Sequence, residues 1–288
     1  MSVGLGLIPF RKELDQLRIL YKRISDRIVR EMLSVDLVNF SIRDAIRLRK
    51  SVDKELKKAN DIAVEWSGKN IPRSYDKGVS FAKGWMEKFR LKEDPEKKDI
   101  HVNAVEREKE IVRNYLIEAN LKVRQSVERW IYLTGEISKA LVKVEEFGGG
   151  FFSPAEEELI LQEIAEGVIA GVARSKLKNQ IRARIAKKIG GGALIEIKGR
   201  MYRMDKYADM VARTELRRTQ SEGVKNECVR MGQDLVEVSD HGTDCEECEE
   251  YEGNIYSISG EDPNHSFLDQ EPPFHPNCMH FIIPYIEF

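Results

Sequence analysis

Most of the cysteine and histidine residues of this chain are concentrated near its C-terminal end. Residues 231–288 contain three of the four cysteines and four of the five histidines, and they contain no lysine or arginine. Within this tail, Cys245-x2-Cys248 precedes His275-x2-Cys278. Two ligands separated by two residues on a tight turn can face one ion, and zinc prefers thiolate and imidazole. The spacing therefore predicts one structural zinc site in the tail.

Five residues are candidate ligands for this zinc ion. The favoured set is Cys245, Cys248, His275 and Cys278, and His280 is an alternative fourth ligand. Met279 separates His280 from Cys278 and is expected to turn the imidazole away. Acidic residues surround the Cys-x2-Cys pair and oppose thiolate formation, which disfavours a thioredoxin-like redox function.

Charge is distributed unevenly along the chain. Residues 174–230 hold sixteen Lys or Arg against six Asp or Glu, whereas residues 233–288 hold fourteen acids. Phosphate binding needs positive charge and no base-specific contact, so the basic run suits double-stranded DNA without sequence specificity. The acidic tail disfavours a zinc finger that reads DNA. The candidate phosphate contacts are Arg174, Lys176, Lys178, Arg182, Arg184, Lys187 and Lys188.

The N-terminal half has the periodicity of long helices. Apolar residues recur every three or four positions from residue 11 to about residue 145, which is typical of amphipathic helices. Gly68 and Pro72 predict a break within residues 67–75, and Pro95 predicts another within residues 93–95. Residues 105–144 contain no proline, so they predict a single helix roughly 60 Å long.

The C-terminal half of the chain is predicted to form shorter helices and strands. Ser153-Pro154 followed by acids predicts a helix start, and helix is expected to continue to about Ile189. Residues 193–204 predict a hairpin that turns at Gly199, and residues 210–231 predict another helix. The fold class expected is mostly α, with long helices in the N-terminal half and a small α+β C-terminal domain closed by zinc.

Three domains follow from these patterns. Residues 1–147 are expected to form a helical arm or bundle, residues 148–230 a basic helical segment with the hairpin, and residues 231–288 an acidic zinc-binding domain. No run of eighteen apolar residues is present and the N-terminus lacks a signal-peptide pattern, so no membrane association is expected. The low cysteine content predicts synthesis in a cytoplasm.

Three segments of the chain resemble one protein family. The tail carries Glu252-Gly253-Asn254-Ile255-Tyr256-Ser257-Ile258-Ser259-Gly260, then His275-Pro276-Asn277-Cys278-Met279-His280 and Pro284-Tyr285-Ile286. Upstream lie Ala212-Arg213-Thr214-Glu215-Leu216 and Ile71-Pro72-Arg73-Ser74-Tyr75-Asp76-Lys77-Gly78. Together these segments resemble the minor capsid proteins of tailed bacteriophages, of the Mu-type head morphogenesis family. Met279-His280 departs from the arginine and cysteine that many relatives carry there.

The resemblance implies a non-enzymatic virion component inside the phage head, made in the host cytoplasm. It implies binding to the portal protein and the major capsid protein, and a role in head assembly, DNA packaging or DNA ejection. Arg213, Glu215, Arg217 and Arg218 lie on one predicted helix, where they either form a network with a partner, contact phosphates or lie on a solvated face. The resemblance favours an internal role for Arg213 and Glu215, which would bridge this helix to the metal tail.

The residue pattern is also compatible with two other functions. A metal-dependent HNH-like nuclease would use His275, Asn277 and His280, but its Asp-His pair appears only as Asp240-His241, ahead of the first thiol. A free DNA-binding protein would use the basic run.

Overall fold

The computed structural model of the chain describes residues 10–35, 40–89, 100–139, 193–197, 200–242 and 245–287. The helices are α1 Arg11–Ser34, α2 Ile42–Met86, α3 Ile100–Lys139, α4 Met204–Arg230 and the single turn α5 Glu246–Glu249. The strands are β1 Leu194–Ile197, β2 Arg200–Arg203, β3 Leu235–Val238, β4 Ile255–Ser257 and β5 Ile282–Pro284. These elements confirm a mostly α fold with long N-terminal helices and a small α+β region at the C-terminus.

Helices α1 and α3 agree with the predictions from sequence periodicity. In α1, Leu17, Tyr21, Ile24 and Ile28 are all buried, as the three- and four-residue spacing predicts. Helix α3 has 40 residues, which corresponds to about 60 Å at 1.5 Å per residue. The single long helix predicted there is confirmed as far as residue 139, and its predicted end at residue 144 lies outside the described residues.

Helix α2 begins at a reciprocal cap. The Ser41 hydroxyl accepts a hydrogen bond from the Asp44 backbone N–H at 3.3 Å. In return, the Asp44 carboxylate accepts from the Ser41 backbone N–H at 3.1 Å. Two groups that a helix start leaves without intrahelical partners are thereby satisfied, which fixes where α2 begins.

The predicted helix break at residues 67–75 is wrong, because α2 continues through Pro72 to Met86. A proline inside a helix costs about 3 kcal/mol, since it removes one backbone hydrogen bond and crowds the preceding turn. Packing around the proline offsets this cost. Ile71, Ser74 and Tyr75 are at most 1% exposed, and the Ser74 hydroxyl donates to the Leu216 carbonyl at 2.8 Å.

Two other expectations lie outside the described residues. The break predicted at residues 93–95 falls between the short turn Glu87–Phe89, which follows α2, and the start of α3. The helix predicted to start at Ser153 and to continue to Ile189 also falls outside them.

The chain divides into two compact units, and both are discontinuous in sequence. The first unit comprises Met1–Asp15, Val64–Tyr115 and Asp209–Phe288, and the second comprises Gln16–Ala63 and Leu116–Ala208. The division into residues 1–147, 148–230 and 231–288 remains a prediction.

In the second unit, polar contacts between helices accompany the buried apolar face. Arg49 donates to both carboxylate oxygens of Glu128, and Asn120 donates to Asn60 at 2.7 Å. Strands β1 and β2 pair in antiparallel register from Leu194 opposite Arg203 to Ile197 opposite Arg200. The predicted hairpin is therefore confirmed, while its turn at residues 198–199 lies outside the described residues.

In the first unit, a three-stranded antiparallel sheet covers the ends of two helices. The strand order is β4-β3-β5, so the central strand β3 pairs with β4 and with β5. The core beneath this sheet consists of Ala82, Met86, Val224, Cys228, Met231, Val236, Val238, Leu268 and Ile282. Cys228 is fully buried there, as expected of a small apolar side chain.

Helices α2 and α4 touch backbone to backbone within the first unit. A Cβ atom added to Gly78 would lie 2.0 Å from the Gln220 carbonyl oxygen, and one added to Gly223 would lie 2.4 Å from the Tyr75 carbonyl oxygen. Beside this crossing, the Tyr75 hydroxyl accepts from Asn226 at 2.8 Å and contacts His101 Nδ1 at 2.9 Å. The Ile-Pro-x-x-Tyr-x-x-Gly segment therefore supplies both the close backbone contact and the tyrosine hydroxyl that hydrogen-bonds beside it.

Among the described residues, no helix combines the length and the apolar character needed to cross a membrane.

Candidate metal centre

The Cys-x2-Cys pair lies on a tight helical turn that follows β3. Cys245 is the N-cap of α5, and its carbonyl accepts hydrogen bonds from the backbone N–H groups of Cys248 and Glu249 at 3.0 and 2.9 Å. Because residues three apart on such a turn lie on one face, both thiols face the same side. Cys248 is 1% exposed, whereas Cys245 is partly exposed.

The second ligand loop is also closed by a turn. The Cys278 backbone N–H donates to the His275 carbonyl at 3.1 Å. Asn277, at the tight end of this turn, has a φ of 68°. Asparagine tolerates this left-handed conformation better than most residues do. The turn places His275 and Cys278 on the same side of the loop as the first pair.

The five candidate donors lie close together. His275 Nε2 is 3.3 Å from the Cys245 sulfur and 3.1 Å from the Cys248 sulfur. The Cys278 sulfur is 3.9 Å from the Cys248 sulfur and 3.4 Å from His280 Nδ1. Two overlapping groups result, Cys245–Cys248–His275 and Cys248–Cys278–His280, and Cys248 belongs to both.

These separations fit a tetrahedral metal ion. Bonds of about 2.3 Å to sulfur and about 2.0 Å to nitrogen place two sulfurs about 3.8 Å apart and a sulfur and a nitrogen about 3.5 Å apart. The sulfur pair is 3.9 Å apart and the sulfur–nitrogen pairs are 3.1 to 3.4 Å apart. Cys245, Cys248, His275, Cys278 and His280 can therefore hold a metal ion, with one donor more than four-coordinate zinc requires.

The protonation of the Cys248 thiol depends on whether a cation is bound. Burial raises the pKa of the Cys248 thiol, and its contacts with the Cys245 and Cys278 thiols raise that pKa further. A thiol with a raised pKa stays protonated and is a poor redox nucleophile. A bound cation would reverse this preference, because it favours the thiolate that coordinates it.

Two arginines of α4 hold the second ligand loop in place. Arg213 donates to the Asn277 side-chain oxygen at 3.0 Å, and Arg217 donates to the Met279 carbonyl at 2.7 Å. Of the roles left open for Arg213, the structure shows a bridge from α4 to the C-terminal loop that contains His275 and Cys278. Glu215 faces elsewhere and pairs with Arg218 at 3.3 Å.

Replacing Arg217 with alanine should lower the free energy of unfolding by about 2 kcal/mol, because a charged hydrogen bond to a loop carbonyl is lost. Arg217→Lys should recover part of this loss, since lysine keeps the charge but not the fork of donors. Chemical denaturation of the metal-loaded protein measures both changes. Lys83→Ala, at an exposed position of α2, is the control, and an equal effect there would contradict the role of Arg217.

Glu215 is a buried carboxylate in the same helix. It is 4% exposed, and burial raises its pKa from 4.5 to about 7, with Arg218 opposing the shift and Glu108 adding to it. Glu108 is buried as well, and its pKa is raised by burial and by the nearby Glu222. The contact between α3 and α4 in the first unit therefore contains carboxyl groups that favour the neutral form.

This raised pKa predicts a pH-dependent stability. The folded state binds the Glu215 proton more tightly than the unfolded state, so its contribution is fully present below about pH 4.5 and is lost as the pH rises to about 7. Glu215→Gln stays neutral, so its free energy of unfolding should exceed that of the wild type by up to about 3 kcal/mol at about pH 8 and should match it at about pH 4. Urea unfolding at both pH values measures this. Glu110→Gln, at an exposed position of α3, should leave the pH dependence unchanged, and an unchanged dependence in Glu215→Gln would contradict the prediction.

The other candidate residues have different placements. The basic run from Arg174 to Lys188 lies outside the described residues. Asp240 accepts from the Gly242 backbone N–H at 2.9 Å, and His241 Nε2 contacts the Ser239 hydroxyl at 3.0 Å. The structure therefore uses these two side chains to shape the loop after β3.

The contacts that Arg217 and Glu252 make at the site were not predicted from the sequence. Arg217 contacts a backbone carbonyl, and such an acceptor leaves no trace in the residue pattern. Glu252 lies 3.0 Å from His280 Nε2. Its position one helical turn after Cys248 is the signal that points to it, since ligand histidines usually contact a carboxylate or carbonyl.

Comparison with known proteins gives one match. Residues 158–287, somewhat less than half of the chain, match the family described as phage minor capsid protein 2. This range includes α4 and all five candidate metal ligands. No curated protein and no solved structure matches the chain significantly. The family match confirms the resemblance to phage minor capsid proteins, while the Mu-type subdivision remains a prediction.

Proposed function

We propose that this chain is a non-enzymatic structural component of a tailed-phage head, because residues 158–287 match the family described as phage minor capsid protein 2. The family match is the observation that carries this proposal. The protein would be made in the host cytoplasm and would lie inside the head of the virion. Its described residues contain long helices and a compact tail, which suit a role in connecting other proteins.

The proposed cofactor is one structural zinc ion. Three thiols and two imidazoles form two overlapping groups of close donors that share Cys248. Zinc sites that close a fold have four protein ligands and no open position, and soft thiolate ligands favour zinc over magnesium or calcium. Cys245, Cys248 and Cys278 would supply the thiolates, with His275 or His280 as the fourth ligand. The ion would tie the loop after β3 to the loop before β5.

The proposed partners are the portal protein, the major capsid protein and packaged DNA. The basic residues Arg174 to Lys188 support contact with DNA phosphates without sequence specificity. A location at the portal would allow roles in assembly, packaging or ejection.

Co-expression with the portal and major capsid proteins of the same phage tests these partners. A tagged chain should retain the portal protein during purification at moderate salt. An unrelated phage portal is the control, because binding there would indicate adhesion without specificity. Absence of both cognate partners from the purified complex would count against the proposed location.

An HNH-like metal-dependent nuclease is the alternative that one observation favours. His275, Asn277 and His280 lie in one loop, and such a nuclease would place these residue types around its metal. However, the Asn277 side chain accepts from Arg213, and His241 contacts Ser239. Plasmid incubated with the protein and Mg²⁺ should stay intact. Nicking that disappears in the His275→Ala, His280→Ala double variant would contradict the structural role.

A free DNA-binding protein is the remaining alternative. It predicts tight, strongly salt-dependent binding of DNA by the isolated chain, since released counterions drive such binding. Strong binding together with absence from the head would favour this function over the capsid role.

A further inference from the structure

Glu252 lies at the junction of the two ligand loops. Its backbone N–H donates to the Cys248 carbonyl at 3.0 Å, so the turn that carries the first ligand pair also fixes this residue. Gly253 follows with a φ of 72°, and its N–H donates to the Val238 carbonyl at 2.9 Å. The side chain of Glu252 is 10% exposed. A carboxylate held this firmly at a protein interior needs partners that offset its desolvation.

Two such partners lie at the carboxylate oxygen Oε1. The backbone N–H of His241 donates to it, and His280 Nε2 lies 3.0 Å from it. The other ring nitrogen of His280, Nδ1, lies 3.4 Å from the Cys278 sulfur. His280 is 1% exposed. One ring nitrogen of His280 therefore lies beside the carboxylate, and the other lies beside the Cys278 thiol.

We propose that Glu252 is a positioning residue of the metal centre, which makes His280 the fourth ligand through Nδ1. This inference rests on the proposed zinc site. A carboxylate that accepts from one ring nitrogen fixes the tautomer, so the other nitrogen presents its lone pair, and it makes that nitrogen a stronger ligand.

His275 has a weaker arrangement for this role. Its Nδ1 contacts the carbonyl of the adjacent Pro276 at 2.9 Å, which is a neutral partner on the same loop. The ring is only partly buried, as is Cys245 beside it. In contrast, Cys248, Cys278 and His280 are each 1% exposed. Burial and a charged partner both favour His280 over His275.

Zinc affinity tests the role of Glu252. Competition with a chromogenic chelator should show a 10- to 100-fold weaker affinity in Glu252→Ala. Glu249→Ala, which removes the same charge from an exposed position of α5, should bind zinc as the wild type does. Glu252→Gln should recover part of the loss, since its side-chain oxygen can still accept from the His241 backbone N–H and lie beside His280.

A double-variant cycle separates positioning from general destabilisation. If Glu252 acts through His280, Glu252→Ala should add no further loss of affinity in a His280→Ala background, while its full effect should persist in a His275→Ala background. Cobalt substituted for zinc should show altered ligand-field absorption in Glu252→Ala and an unchanged spectrum in Glu249→Ala.

The possible failures are distinguishable. A wild-type chain that binds no zinc would overturn the proposed metal site itself. A wild-type chain that binds zinc, with Glu252→Ala equal to Glu249→Ala in affinity and cobalt spectrum, would overturn only the role of Glu252. Equal additive losses in both histidine backgrounds would likewise contradict the assignment of His280.

Discussion

Replacing Cys248 with serine is expected to abolish zinc binding and to unfold the ligand loops after β3. Cys248 belongs to both groups of candidate donors, so without it neither group keeps three donors. Structural zinc contributes about 10–16 kcal/mol of apparent binding free energy in small zinc-dependent folds. Because that energy is available only when the loops are folded, its loss should lower the free energy of unfolding by several kcal/mol.

Metal analysis and thermal unfolding together measure this effect. The wild type should contain about one zinc ion per chain, and a strong chelator should lower its unfolding temperature toward that of Cys248→Ser. Cys228→Ala is the matched control, since Cys228 is fully buried in the apolar core. It should keep its zinc. A Cys248→Ser variant with wild-type zinc content would rule out the proposed centre.

The second large effect is expected at the crossing of α2 and α4. Gly223→Ala places a Cβ atom 2.4 Å from the Tyr75 carbonyl oxygen, and Gly78→Ala places one 2.0 Å from the Gln220 carbonyl oxygen. Both neighbours are backbone atoms, so relief requires the two helices to move apart. Overpacking of this kind costs about 3 kcal/mol, and it should also loosen the contact between Tyr75 and Asn226.

A third glycine provides the control for this prediction. Gly84 lies in the same helix α2, and an added Cβ atom there would meet no atom within 4 Å. Gly84→Ala should therefore stabilise the protein by about 0.5–1 kcal/mol, because alanine loses less backbone conformational entropy than glycine when the helix forms. Denaturant unfolding of the three variants gives the comparison. Equal changes at Gly84 and Gly223 would contradict the close crossing.

Much of the fold could be predicted because it depends on local patterns. The three- and four-residue spacing of Leu17, Tyr21, Ile24 and Ile28 is sufficient to predict a helix with one buried face. The hairpin at residues 193–204 is likewise specified by its own sequence. The Cys-x2-Cys and His-x2-Cys spacings identified the donors, because turn geometry determines which side chains can share an ion.

What could not be predicted depends on packing between distant segments. Pro72 is a helix breaker by local criteria, yet α2 continues because Ile71, Ser74 and Tyr75 are buried. The contacts of Gly78 with Gln220 and of Gly223 with Tyr75 join positions far apart in the chain. Glycine alone does not reveal which partner approaches it.

The same distinction applies within the metal centre. The ligand types follow from spacing, but the choice between His275 and His280 depends on what lies behind each ring. Met279 between Cys278 and His280 suggested that His280 points away, whereas in the structure it lies 3.4 Å from the Cys278 sulfur. Met279 itself faces outward and is 52% exposed, whereas its neighbours Cys278 and His280 are both buried.

A minor structural component of a phage head must be present in the purified virion. Quantitative mass spectrometry of gradient-purified virions, from a phage that encodes the chain, measures whether this chain is. We expect peptides from the chain at a few copies per virion, far below the major capsid protein. Their absence from intact virions, with the chain abundant in the infected-cell lysate, would contradict the capsid role.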